Sequence, residues 1–165
     1  VFVGEGPEKE KIKNARKKLS SSKQIFIKPW ANQSNLKLYY EKAKVFVLLS
    51  QGETWGLVIN EAMASGIPCI VSTECGCYED LIKGRNTGWG VYPTDEKLLT
   101  NLFHKIDELN ATDLKEIQKN IQNTINQYSL YDFSKAIEDS SFHSLRNKRF
   151  SKLSAITSLL LFLFK

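Results

Sequence analysis

Two glutamates separated by seven residues, Glu53 and Glu61, bracket a segment able to hold an anion. It reads Ser50-Gln51-Gly52-Glu53-Thr54-Trp55-Gly56-Leu57-Val58-Ile59-Asn60-Glu61-Ala62-Met63-Ala64-Ser65-Gly66. Glu53 falls in a loop, and Gly56, lacking a Cβ, lets a ligand approach the backbone there. A helix starting after Gly56 would leave the amides of Gly56, Leu57 and Val58 without intrahelical acceptors, at the positive end of the helix dipole. That is an anion site, suited to a diphosphate. Glu61, one turn further on, can accept two hydrogen bonds from a vicinal diol such as a ribose. Together these groups suit a nucleotide-sugar, one acid for the ribose and one for the sugar. The plainer alternative is that both acids only complement the helix dipole. Against it stand the small residues Ala62, Ala64 and Gly66, which would pack the helix close to a sheet. Glu61 also interrupts an apolar helix, where an unpartnered carboxylate is costly to bury.

The surrounding elements fit that placement. Val1–Val3, Ile25–Ile27, Val45–Leu49 and Cys69–Ser72 are short, apolar and bounded by turn residues, hence strand-like, and Val1–Val3 reads as buried. Between them lie helical stretches at Pro7–Leu19, with Ile12, Ala15 and Leu19 on one face, and at Asn35–Ala43, with Ser34 as N-cap. A third helix, Leu57–Ser65, is closed by Gly66 and Pro68. The β-α-β-α-β-α-β order is the signature of a Rossmann-like parallel sheet with helices on both faces. In such sheets ligands bind where strands end and helices begin. Val91-Tyr92 suggests a last strand, followed by helices at Asp95–Leu109, Asp113–Tyr128 and Tyr131–Leu145. The apolar stripes of the first two are core contacts.

A second loop of interest, Gly4-Glu5-Gly6-Pro7, follows the first strand. Its glycines allow a tight turn and Pro7 suits a first helical position. It is not the dinucleotide fingerprint, because no third glycine follows at the right offset.

With these residues in view, the sequence resembles the C-terminal half of a retaining glycosyltransferase of family 4, the "group 1" family, of GT-B architecture. The resemblance rests on Glu53 and Glu61 with Ser50-x-x-Glu53-x-Trp55-Gly56 and Glu61-Ala-Met-Ala-Ser-Gly66-x-Pro68. Val3-Gly4-Glu5-Gly6-Pro7, Gly76-x-x-Glu79 and Asn86-Thr87-Gly88 also match, so it runs from Val1 to about Leu145. It implies a metal-free transfer of a sugar, a hexosyl or related group, from a nucleotide-diphosphate sugar to a saccharide or lipid-linked acceptor. Glu53 would lie beside the donor sugar as the catalytic residue. The amides of Gly56, Leu57 and Val58 would hold the diphosphate leaving group, and Trp55 would be one of the donor-binding residues. Glu61 would take the ribose. Gly4 and the stretch Ile27-Lys28-Pro29-Trp30 would flank the nucleotide. No cofactor is expected beyond the nucleotide-sugar as substrate.

The same resemblance implies a phosphate-binding Arg and Lys before Val1, together with an N-terminal acceptor-binding domain. The chain is thus expected to be a donor-binding domain at 1–145 with its N-terminal part truncated, inactive by itself. Two rivals remain. One is a GT-B-fold sugar-nucleotide epimerase or a phosphorylase, although no lysine has the context of a pyridoxal-phosphate site. The other is a non-catalytic nucleotide-sugar-binding module.

Charge sets the tail apart. The chain has 165 residues and a formal charge of +5, with 23 Lys+Arg against 18 Asp+Glu. Arg146, Lys148, Arg149, Lys152 and Lys165 account for the whole excess, and no acid follows Asp139. A domain binding nucleic acid over a basic surface is therefore excluded. Residues 146–165 form a basic then apolar tail. As a helix, its apolar part reaches about 20 Å, short of the roughly 30 Å of hydrocarbon in a bilayer. It suits either interfacial anchoring on anionic lipid or packing on the N-terminal domain. A cytoplasmic enzyme, peripheral on the inner face of the membrane, is the resulting expectation. Cys69, Cys75 and Cys77 lack metal spacing, and Cys69 lies in an apolar run, so a reducing setting fits them.

Overall fold

A computed structural model describes residues 1–19, 24–129, 131 and 134–140. The chain runs through β1 (Phe2–Val3), α1 (Lys9–Lys17), β2 (Ile27–Lys28), α2 (Gln33–Lys42), β3 (Phe46–Leu48) and α3 (Leu57–Ala64). There follow β4 (Cys69–Ser72), α4 (Tyr78–Leu81), β5 (Gly88–Val91), α5 (Glu96–Glu108), α6 (Ala111–Ile125) and a 3₁₀ turn at Asn126–Tyr128. Residues 134–140 are helical again. The rest of the expected last helix, at 132–133 and from 141 to 145, and the whole tail at 146–165 lie outside the described residues.

β4 is the structural centre. It pairs in parallel with β3 on one side and β5 on the other. All four of its residues are buried, which is why an uninterrupted apolar run suits it. Side-chain alternation gives the strand two cores. Cys69 and Val71 meet Ile59, Ala62 and Met63 of α3, Leu81 of α4, and Ile117 and Ile121 of α6. Ile70 turns the other way, to Val91 of β5 and Leu102 and Ile106 of α5. Helices thus cover both faces of parallel strands, the α/β class expected from the element order.

The sheet, however, comes in two pieces. β1 pairs only with β2, Phe2 opposite Ile27, and neither joins the three-stranded sheet. Val1–Val3 is consequently not buried: Phe2 is 53% exposed and Val3 36%. α1 buries none of its residues, so Ile12, Ala15 and Leu19 form no core face. A strand with a single neighbour and no covering layer cannot hide its side chains.

Element ends moved where caps decided them. Asn32, not Ser34, caps α2; its Oδ1 accepts from the Asn35 amide at 3.0 Å. Pro7 precedes α1, which begins at Lys9, rather than opening it. β2 starts two residues later and ends one later than expected, at Ile27–Lys28. α6 starts at Ala111, with Asn110 accepting from the Thr112 and Asp113 amides at 2.8 and 2.9 Å. β5 occupies Gly88–Val91 rather than Val91-Tyr92. It is set up by buried Thr87, whose hydroxyl donates to the Leu81 carbonyl at 2.5 Å.

Candidate functional site

The loop after β3 is held by the loop after β4. Glu53 forms an isolated parallel bridge with Cys75, and the Gly76 amide donates to the Glu53 carbonyl at 2.9 Å. The Cys77 amide reaches the Trp55 carbonyl at 3.3 Å. Gly76 must lack a side chain, because a Cβ there would collide with the Thr54 carbonyl oxygen. The backbone around Glu53 is therefore fixed by main-chain bonds, and its half-buried side chain is carried on a rigid support.

Gly56 turns this loop into α3. Its φ of 89° and ψ of 62° lie in the left-handed region that favours glycine. It is also wedged: a Cβ would sit 3.3 Å from both Glu53 Cγ and Leu48 Cδ2, and 3.4 Å from Cys75 Sγ. No side chain caps α3. The Ile59 amide turns back to the Gly56 carbonyl at 2.8 Å, and among the described residues the preceding amides of Leu57 and Val58 have no backbone acceptor. The side chains of both residues are exposed, Leu57 at 71%.

Glu61 departs from the reasoning that first singled it out. It lies on the exposed face of α3 and bears no burial cost, and Ala64 is exposed as well. It does have a partner. Tyr40 of α2 donates its hydroxyl to Glu61 Oε2 at 3.1 Å, leaving Oε1 open. The Tyr40 ring is buried and packs edge-on against Phe46, centroids 5.7 Å apart. Burial first, and then the bond to Glu61, push the phenol pKa up to about 12, so Tyr40 stays a donor at neutral pH. Nothing in the sequence pattern pointed to Tyr40, since its link to Glu61 is tertiary.

Trp55 is committed to the protein interior. Its indole Nε1 donates to Asn60 Oδ1 at 2.9 Å, and its ring lies 6.0 Å from that of Tyr128. Its contribution to the site is to hold the loop against α3. Cys75 and Cys77 are buried thiols, Cys75 Sγ donating to the Trp55 carbonyl at 4.0 Å, and burial pushes both pKa values up, that of Cys77 to about 12. Neither is poised as a thiolate nucleophile.

The structure thus brings Glu53, Trp55, Gly56, Leu57, Val58 and Glu61 into one constellation at the end of β3. Gly4 and Pro29 sit elsewhere, side by side at the carboxyl ends of β1 and β2, where the Gly4 amide donates to the Lys28 carbonyl at 3.1 Å. Among the described residues no hydrogen bond joins the two groups.

The family described as glycosyl transferases group 1 matches residues 1–125. The alpha-monoglucosyldiacylglycerol synthase of Acholeplasma laidlawii is 28% identical over 138 residues, 84% of this chain and 34% of that protein. The N-acetyl-alpha-D-glucosaminyl L-malate synthase of Bacillus anthracis is 34% identical over 89 residues, 54% of this chain and 23% of that protein. Sucrose-phosphate synthase from Thermosynechococcus elongatus has a similar structure, with a TM-score of 0.68 at 26% identity, covering 86% of this chain and 38% of that one. The chain spans about a third or less of the length of the curated relatives it matches.

Proposed function

The chain belongs to the glycosyl transferases of group 1, and from that membership we propose that it is the donor-binding half of an enzyme that moves a sugar from a nucleotide-diphosphate sugar to a saccharide or lipid-linked acceptor with retention of configuration. Its structural neighbours are GT-B glycosyltransferases. The observation that carries the reading is the constellation itself: Glu53 on a pinned loop, two open amides at the start of α3, and Glu61 one turn along with one oxygen free.

The division of labour follows from charge. When the donor breaks, negative charge grows on the diphosphate and positive charge on the sugar ring. The amides of Leu57 and Val58, with Gly56 allowing close approach, meet the first charge at the positive end of the helix. The Glu53 carboxylate meets the second. Glu61 Oε1 accepts from the ribose, while Trp55 holds the loop in place. Gly4 and Pro29 would reach the base from the ends of β1 and β2. The lipid side of the acceptor proposal draws on a relative matched over 84% of this chain, which is named alpha-monoglucosyldiacylglycerol synthase.

Glu53→Ala, in a longer protein carrying this chain, is expected to lower transfer by at least about a hundredfold while leaving nucleotide binding largely intact. Unchanged transfer would remove Glu53 from the reaction. The tail carries a separate proposal, that residues 146–165 hold the enzyme at the cytoplasmic face of an anionic membrane. A chain ending at Ser151 should then lose sedimentation with anionic liposomes; undiminished sedimentation would rule the anchor out.

A further inference from the structure

A cavity of about 300 Å³ opens at the carboxyl ends of β3, β4 and β5, lined by Gln51, Glu74, Tyr92, Pro93 and Thr94. None of these residues belongs to the constellation described above. The walls are pinned by the backbone. The Thr73 amide donates to the Val91 carbonyl at 3.1 Å, tying the start of the loop after β4 to the end of β5, and the Asp95 amide closes a turn onto the Tyr92 carbonyl at 2.9 Å. Ser72 Oγ accepts from the Glu74 amide at 3.1 Å. The side chains themselves are uncommitted: among the described residues, the polar groups of Gln51, Glu74, Tyr92 and Thr94 have no partner in the protein.

The chemistry of the lining narrows the ligand. Among the described residues no Lys or Arg lines the cavity, which does not suit it to a phosphate or another anion. One carboxylate, one amide and two hydroxyls supply acceptors and donors in the mixture that a ring of hydroxyl groups needs. Tyr92, 56% exposed, and Pro93 add apolar surface for the C–H face of such a ring. The volume lies at the lower end of the range for small-molecule sites, too small for a nucleotide-sugar and ample for one sugar ring. Position adds the last constraint. Gln51 lies on the loop that carries Glu53, and Glu74 directly precedes Cys75, which bridges Glu53. A ring in the cavity shares both of its supporting loops with Glu53.

We propose that this cavity is a saccharide subsite by which the donor-binding half adds a contact to one neutral sugar ring of an acceptor otherwise held by the N-terminal domain, on the same loops that support Glu53. The proposal rests on the transferase reading, because only a second sugar substrate gives such a site a use there.

Amide chemical shifts of the 165-residue chain, titrated separately with methyl glucoside, methyl galactoside, N-acetylglucosamine, UDP, GDP and UDP-glucose, test it. At least one free saccharide should shift Gln51, Glu74, Tyr92 and Thr94 saturably. Glu74→Ala or Tyr92→Ala should weaken that binding about tenfold or more, with nucleotide-induced shifts at Gly56–Glu61 unchanged. Glu74→Gln and Tyr92→Phe, which keep shape, serve if either alanine variant loses its native spectrum, and Glu74→Gln should weaken the same saccharide. Nucleotides shifting Gly56–Glu61 while every saccharide leaves the cavity unmoved would overturn the subsite and leave the donor reading standing. Saccharide binding with no nucleotide binding would overturn the donor reading instead, and no binding of either would overturn both. If only UDP-glucose moves the cavity residues, they contact the donor and the acceptor assignment falls.

Discussion

Tyr40 fixes one oxygen of Glu61 and, among the described residues, leaves the other without a partner, an arrangement that suits the ribose contact proposed for it. Its hydroxyl donates to Oε2 at 3.1 Å from a ring already seated against Phe46. Tyr40→Phe should keep that packing and lose only the orientation. Nucleotide affinity is expected to fall about three- to tenfold, with the cooperative unfolding transition retained; isothermal titration of both proteins checks it. The same group has a pH signature. Its pKa is raised from 10.0 to about 12 in the folded chain, so its stabilisation is complete below pH 10 and fades as pH rises toward 12. Tyr40→Phe should remove that part of the alkaline destabilisation. Glu53, Gly56 and Glu61 could be picked out from the sequence because their chemistry is local, contained in one loop and one helical turn. Tyr40 could not, because it stands 21 positions before the residue it serves.

Caps show why element existence is easier to read than element ends. Asn32 and Ser34 are both good N-cap residues and stand two positions apart, so propensity alone does not choose between them. The structure chooses Asn32, which accepts from the Asn35 amide. Asn32→Ala should cost about 1 kcal/mol of stability and Ser34→Ala a few tenths, measured as shifts in the denaturant midpoint. The reverse order would return the cap to Ser34. α4, four residues long, lies below the length at which a 3.6-residue period can be seen. β5 was placed late because Gly88 and Gly90 carry no strand preference, and only contact with β4 makes them a strand.

Across the molecule, burial is uneven. No described residue before Ala31 is buried, whereas β4 is covered on both faces and supports two cores. Opening β1 and β2 therefore exposes little that is not already in water, while opening β4 exposes both cores. Hydrogen exchange should be correspondingly graded, with the amides of Phe2 and Gly4 exchanging far faster than those of Ile70 and Val71. Equal protection would show that the first βαβ unit is coupled to the rest.

The alternation of elements, the apolar strand at Cys69–Ser72 and the candidate groups from Glu53 to Glu61 are legible from the residues before any fold is known. Each of these is set by residue type and spacing over a few neighbours. Tertiary structure alone decided that the strands form two sheets, that Glu61 is exposed and held by Tyr40, and that the β4 loop braces Glu53. Those outcomes depend on which distant segments meet. A strand is buried only if something covers it, and β1 shows that an apolar sequence does not supply the cover.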